Sequence, residues 1–516
     1  MDSSCLRRRP HASVVLLTAT LTATLTATLA GCTLGPDFHP PAAPAATAGY
    51  TPTPLPASTD SAPGTGGAAQ RFVDGMDIPA QWWTVFRSPA LDQLLRAALA
   101  QNPDMAAAEA SLRQVREAYN AQTGERVYPA MTGAAGAGRQ KAQVATANGA
   151  GSTVLDLYNA SVNVSYTPDV FGITRRTLEG AQAAVDYQRF QVEATYLALS
   201  ANVVTAAIQE ASLRARLQAT RDVLDALTSQ QNVIEKQFEY GAVPRTQVLS
   251  QRNLVAQTRA TVPPLVKALA QTRHLLSVLA GRLPGEAGMP EFTLASLTLP
   301  ETLPVSLPSA LVRQRPDIRA SEALLHQASA QIGVATAAQY PQFTLNGSYG
   351  SSSTAFGKLF EGDNAVWSLT AGLTAPIFNG GALRARKRGA EAAYDVAAAQ
   401  YRATLLTAFQ NVADSLRALE SDASALAAQA ESESFAAETL ALAQEQYQLG
   451  AISYLALLDA QRSYQQAHIG LVQAQATRYA DTAALFQALG GGWWNRAEGV
   501  PAAAPVSTLP TISQNP

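Results

Sequence analysis

Cys32 stands directly behind Leu29-Ala30-Gly31, at the end of an apolar run, in a chain of 516 residues with only two cysteines. If the residues before it are cut away, Cys5 leaves with them and no disulfide partner remains. Such a thiol either stays free or carries a covalent group. Other chemistry-bearing residues are sparse. Five scattered histidines and one mature cysteine argue against a Cys/His metal cluster. Gly133, Gly136 and Gly138 lie in a strand context without a following dinucleotide-binding helix. Gly64-Thr65-Gly66-Gly67 lacks the Gly-Lys-Ser/Thr of a phosphate loop.

The elements around Cys32 say what it carries. Arg7, Arg8 and Arg9 form a basic head, an uncharged Val/Leu/Thr/Ala stretch follows from Ala12, and the small pair Ala30-Gly31 ends it. Residues 1–31 therefore read as a secretory signal peptide, its core marginal in length for a stable membrane span. Leu29-Ala30-Gly31-Cys32 resembles the bacterial lipoprotein box. That resemblance implies a diacylglyceryl group on the Cys32 thiol and an N-acyl chain on its new amino terminus. The alternative is an ordinary cysteine near a cleavage site. Thr33, in place of an aspartate, implies sorting to the outer membrane by the same resemblance. Each buried CH₂ of a lipid chain contributes about 0.8 kcal/mol, so several chains make a durable tether.

Composition excludes several classes. With 37 basic and 39 acidic residues the chain has neither a basic field for nucleic acid nor an acidic tail. Charged residues are only 15% of the chain, and the long helices are rich in Ala, Ser, Thr and Gln, which suits close helix contacts and a water-facing wall. After Cys32 there is no apolar run of about 18 residues, so no helix is expected to span a membrane. Residues 32–75, rich in Pro, Ala, Thr and Gly from 35 to 70, read as a lipidated extended linker, and residues 497–516 as a disordered tail.

Between these ends the chain repeats itself at an offset of about 210 residues. Asn102-Pro103-Asp104 matches Arg315-Pro316-Asp317, Tyr128-Pro129 matches Tyr340-Pro341, and Phe171-Gly172 matches Phe378-Asn379-Gly380. Phe238–Val243 matches Tyr447–Ile452, Gln251-Arg252 matches Gln461-Arg462, and Leu279-Ala280-Gly281 matches Leu489-Gly490-Gly491. The first repeat covers 76–285, with a helix, strands at about 128–139 and 157–168, and helices at about 172–240 and 245–280. The second covers 286–496, with a helix, strands at about 340–350 and 366–378, and helices at about 380–449 and 453–489.

The strands alternate. Tyr158, Ala160, Val162, Val164 and Tyr166 oppose Asn159, Ser161, Asn163 and Ser165; Phe343, Leu345 and Tyr349 oppose Thr344, Asn346 and Ser348; Trp367, Leu369, Ala371 and Leu373 oppose Ser368, Thr370 and Thr374. Apolar on one face and small-polar on the other, such segments suit a transmembrane barrel with a wet interior. Hydrocarbon cannot satisfy an open sheet edge, so membrane strands must close. Four strands are too few, because barrels begin at about eight; three copies supply about twelve. The proline-free stretches 173–240 and 380–449 are long enough for helices of roughly 100 Å. Leu224, Leu227, Ile234 and Phe238 have the spacing of a coiled-coil seam over the far turn. Pro263-Pro264 is expected to kink or interrupt the first returning helix.

Cys32–Phe38, Trp82-Trp83 with Phe86, the two Pro-Asp starts, Tyr340-Pro341, Pro376–Gly381 and Leu457–Arg462 together resemble the outer membrane factor family of tripartite efflux systems, in its OprM/NodT-like lipoprotein branch with a TolC-like fold. The resemblance covers roughly residues 32–494. It implies a mixed α/β membrane protein whose duplicated strand-strand-helix-helix repeats assemble as a homotrimer. The trimer would share a barrel of about twelve strands in the outer membrane and a long periplasmic α-barrel of about twelve helices. It also implies a duct that performs no chemistry, joined through a periplasmic adaptor to an inner-membrane transporter of the RND type, and carrying small toxic compounds outward. Type I protein secretion is the same-fold alternative, and a lipid-anchored periplasmic coiled-coil scaffold without a pore is the alternative of another class.

Two sites follow from the resemblance. The turns Gly241-Ala242-Val243-Pro244 and Gly450-Ala451-Ile452-Ser453 correspond to the periplasmic tips that meet the adaptor. Tyr447, Leu455, Asp459 and Arg462 correspond to the periplasmic gate. Leu455 and Asp459 are four apart, hence on one helix face, and threefold symmetry would make rings of them. Three carboxylates near an axis repel unless Arg462 or Tyr447 holds them. The plain alternative is an i,i+3 surface pair between Asp459 and Arg462. The first repeat has Ser250 or Gln251 near the Asp459 position, so only the second hairpin carries the charge.

Overall fold

The computed structural model describes residues 33–44, 49–146 and 149–496. Cys32, the signal peptide over 1–31 and the tail over 497–516 lie outside the described residues. The element order is β1 (Arg71–Asp74), α1 (Pro89–Gln101), α2 (Pro103–Val127), β2 (Ala130–Thr146), β3 (Gly149–Tyr166), α3 (Ile173–Glu239), α4 (Arg245–Leu279), β4 (Thr302–Val305), α5 (Pro308–Gln314), α6 (Pro316–Ala337), β5 (Gln342–Ser353), β6 (Ala365–Thr374), α7 (Ala382–Gln448) and α8 (Tyr454–Ala488). The chain forms two compact units, one of Arg113–Tyr187 and Ser321–Tyr401 with the N-terminal segment up to Pro40, the other of Pro41–Leu112, Gln188–Ala320 and the residues from Arg402 onward.

The first unit holds a four-stranded antiparallel sheet in the order β2-β3-β5-β6. Its register places Met131 opposite Val164, Val164 opposite Gly347, and Gly347 opposite Leu369. One step along, Gly133, Val162, Tyr349 and Trp367 form a second apolar row. The alternate rows are hydroxyl and amide: Ser165 donates to Asn346 at 2.8 Å, and the Ser348 and Ser368 hydroxyls are 2.8 Å apart. The first hairpin is longer than alternation alone suggests, because β2 is 17 residues and β3 is 18. Gly and Ala in β2 weaken a residue-by-residue signal, and the pairing with β3 supplies the strand instead.

The second unit holds most of the core. Trp82, Trp83 and Phe86 in a short 3₁₀ turn are fully buried, with Trp82 stacked on Phe486 at 5.7 Å. The internal repeat is visible here in atoms. Asn102, before α2, donates to the carbonyl of Leu279, the last residue of α4, at 3.0 Å. Arg315, before α6, donates to the carbonyl of Ala488, the last residue of α8, at 3.0 Å. In each copy the residue ahead of the Pro-Asp start thus satisfies a carbonyl that a helix end leaves orphaned.

Helices α3 and α7 are 67 residues each, about 100 Å at the usual rise. The diproline does not interrupt α4, which runs through Pro263 and Pro264. Each proline removes one N–H, freeing the carbonyls of Arg259 and Ala260; both residues are exposed, so water can take their place. The segment 35–70, expected as an extended linker, has no helix among its described residues, and it is docked rather than free. Tyr50 donates to the Ser306 carbonyl at 2.8 Å, Gln70 is fully buried, and β1 pairs in parallel with β4. Proline-rich composition disfavours helix, but it does not prevent docking onto a folded surface. No helix among the described residues is long and apolar enough to cross a membrane.

Candidate functional site

Helices α3 and α7 end in the same backbone device. Gly241 at φ 71° donates to the Phe238 carbonyl while Ala242 donates to Gln237. Gly450 at φ 73° donates to Tyr447 while Ala451 donates to Gln446. These paired bonds form a Schellman cap, whose left-handed position glycine fills without a Cβ penalty. Ser453 caps α8 by accepting from the Ala456 amide. Not every tip residue faces outward. Val243 and Ile452 are half-buried and pack on a core of Leu227, Ile234, Val248, Leu254, Tyr454 and Leu457. The outward groups are Gly241, Ala242, Pro244, Gly450, Ala451 and Ser453. Tyr240 at 87% exposed and Leu449 at 78% stand beside them. Motif matching missed Tyr240 and Leu449; an apolar residue immediately ahead of each capping glycine was the available signal. Leu227 and Ile234 are buried in this seam and Leu224 packs against it, whereas Phe238 is exposed.

The proposed gate lies on the same hairpins. Leu455 is 63% exposed, and Arg462 reaches Asp459 at 3.9 Å with both side chains half-exposed or more. Within the single chain, Tyr447 bonds elsewhere than Asp459. Its hydroxyl donates to Gln247 at 3.3 Å, and its ring lies 5.7 Å from that of Tyr454. Burial raises the Tyr447 pKa, so this hydroxyl stays a donor. Tyr454 donates to Gln251, whose amide in turn donates to the Leu227 carbonyl at 2.8 Å. Gln251 was visible in the repeat match, but its partner, 203 positions away, was not.

The segment behind Cys32 sits in a built cradle. The Arg176 side chain, 4% exposed, donates to the carbonyls of Leu34 and Gly35 and pairs with Asp37 at 2.6 Å and Glu179 at 2.7 Å. His326 bonds Glu179 at 2.9 Å and stacks on Phe38 at 4.3 Å. Gly333 makes room: a Cβ there would lie 2.7 Å from Arg176 Cγ. In the other unit, fully buried Arg478 on α8 bonds Gly66, Ala68, Thr59 and Gln70, fastening the former linker. Beside it, burial and the neighbouring Asp481 push Asp422 up to about 7. No group of three or more metal-type ligands occurs among the described residues.

The profile of the outer membrane efflux protein family matches residues 94–282 and 307–491, one block for each repeat. The chain belongs to that family. The pyoverdine export outer membrane protein OpmQ of Pseudomonas putida is 31% identical to this efflux protein over 451 residues, 86% of this chain and 94% of that protein. The toluene efflux pump outer membrane protein TtgC of a second Pseudomonas putida strain is 31% identical over 417 residues, covering 80% and 86%. Among solved structures, the outer-membrane channel OprN superposes with a TM-score of 0.81 at 27% identity, over 90% of this chain and 100% of that one. The open state of the Neisseria gonorrhoeae MtrE channel gives 0.77 at 27%, again over 90% and 100%. This efflux protein is accordingly an outer membrane channel component with a large helical region.

Proposed function

We propose that three copies of this efflux protein close one barrel of about twelve strands across the outer membrane, continued by a periplasmic tunnel of about twelve helices. The observation that carries this reading is the sheet itself. It has one apolar face and one hydroxyl-lined face, and its two edge strands, β2 and β6, have no second partner among the described residues. In hydrocarbon each unpaired edge amide costs several kcal/mol, so a neighbour's strand must meet it. The hydroxyl face then lines a wet lumen through which cargo passes without chemical change.

The duct is the exit of a tripartite pump. A periplasmic adaptor docks on the tips around Gly241–Pro244 and Gly450–Ser453, and an inner-membrane transporter of the RND type loads small toxic compounds such as solvents and antibiotics. Diacylglyceryl and N-acyl chains on Cys32 tether the chain to the membrane, and Tyr447, Leu455, Asp459 and Arg462 narrow the periplasmic end. Support comes from relatives named for toluene efflux and pyoverdine export. The purified protein is expected to run as a heat-stable, trypsin-resistant trimer and to conduct ions in planar bilayers. A monomer in detergent with no conductance overturns the duct.

A further inference from the structure

The start of α7 carries an uncompensated block of cations. Arg384, Arg386, Lys387 and Arg388 fall within five residues, and the first turn holds no acidic side chain. Among the described residues only Lys387 has an acidic partner, Glu391 at 3.4 Å. Cations near a helix N-terminus oppose the macrodipole, so this placement costs stability unless an anion answers it. The internal repeat supplies a comparison. At the corresponding start of α3, Arg175 pairs with Asp169 at 3.3 Å, and Arg176 pairs with Asp37 and Glu179. The first copy is neutralised by its own carboxylates, whereas in the second, among the described residues, Arg384, Arg386 and Arg388 have no acidic partner.

The location identifies the missing anion. The register pairs Gln342 with Thr374 and Ala130 with Ser165, so β2, β3, β5 and β6 share the sheet end from which α3 and α7 depart. Between β6 and α7, Ile377 is 97% exposed and Phe378 90%. On β6, Trp367 and Leu369 are also exposed. An apolar strand face, then exposed Ile and Phe, then cations is the order of a hydrocarbon layer followed by headgroups. Residues 384–388 rise about 6 Å along a helix, the depth of one headgroup layer, since a bilayer of about 40–45 Å holds about 30 Å of hydrocarbon.

We propose that Arg384, Arg386, Lys387 and Arg388, with Ile377 and Phe378, form a binding site for the phosphate headgroups of anionic phospholipids in the periplasmic leaflet. This rests on the sheet lying in the membrane. Guanidinium groups suit it because they hold phosphate oxygens in a two-pronged fashion.

The test is native mass spectrometry of the full-length assembled protein in detergent, with equal phosphatidylglycerol and phosphatidylcholine. Wild type should retain phosphatidylglycerol about tenfold over phosphatidylcholine. The R384Q/R386Q/K387Q/R388Q variant should lose that preference, whereas R384K/R386K/R388K should keep most of it. Inorganic phosphate at millimolar concentration should leave the bound lipid in place. No preference in wild type, or full preference in the glutamine variant, overturns the site. Displacement by inorganic phosphate also overturns it, in favour of a free-anion site. Loss in the lysine variant equal to that in the glutamine variant overturns charge recognition. Trimer content and bilayer conductance, recorded on the same samples, separate failure of this site from failure of the barrel.

Discussion

Tyr454 on α8 donates its hydroxyl to Gln251 on α4, joining the second hairpin to the first inside the core below the tips. The pair is buried, and Gln251 also spends its amide on the Leu227 carbonyl. Tyr454→Phe leaves the Gln251 acceptor without a partner and should cost about 1–2 kcal/mol. Gln251→Leu removes both bonds and should cost at least as much. Thermal unfolding of the two single variants and the double variant checks this. A double variant equal to the sum of the singles denies the coupling.

Asp459 and Arg462 should behave differently. Their 3.9 Å contact is exposed and long, so Asp459→Ala with Arg462→Ala should change stability by less than about 0.5 kcal/mol. Single-channel conductance of the assembled protein should nonetheless rise, because the substitutions remove charge from the narrow end of the proposed pore. Unchanged conductance in an intact trimer removes these residues from the gate.

At the tips the constraint is backbone rather than space. A Cβ on Gly241 or Gly450 meets nothing within 4 Å, yet both residues have φ above 70°. Gly450→Val should therefore cost about 1–2 kcal/mol through conformation alone. Gly450→Asn, which tolerates this region, should cost much less. Denaturant midpoints give the comparison, and equal effects of Val and Asn would point to a contact instead.

Asp422 should make the helical unit sensitive to pH. Burial and the facing Asp481 raise its pKa from 3.8 to about 7, against the opposing pull of Arg478. The folded state thus holds this proton more tightly than the unfolded chain. The resulting stabilisation is complete below about pH 4, shrinks as pH rises, and is gone above about 7. Asp422→Asn stays neutral, so its melting temperature should overtake wild type by a few degrees at pH 8 and match it near pH 4. Melting curves that remain parallel from pH 4 to 8 rule this out.

Arg176 should govern the segment behind Cys32. Its guanidinium is the common partner of Leu34, Gly35 and Asp37. Arg176→Gln should release that segment and speed cleavage after Asp37 by a glutamate/aspartate-specific protease, while the rest of the chain stays resistant. A cleavage rate equal to wild type shows that other contacts hold it.

Much of this molecule was legible from local pattern. Val162, Tyr349 and Trp367 fall at alternate positions, and the register then sets them side by side. The proline-free stretches became α3 and α7, and Gly241 and Gly450 became left-handed caps. These features depend on neighbours within a few residues, through backbone periodicity and allowed φ. The diproline does not interrupt α4, because a proline's penalty falls on carbonyls whose access to water no local pattern reveals.

Long-range pairing was settled only in three dimensions. Arg478 reads as one more surface arginine until the fold brings Gln70, 408 positions away, to its guanidinium. Tyr454 needs Gln251, and Asp422 needs Asp481, before either has a physical role. Amino-acid order by itself determined the long helices, their turns and the alternating strands, because short-range sterics and alternation decide those, whereas β1, β4 and the glycine-rich β2 needed their pairing partners. The tertiary structure alone decided which polar groups meet, because desolvation and hydrogen bonding depend on what the folded chain places around them.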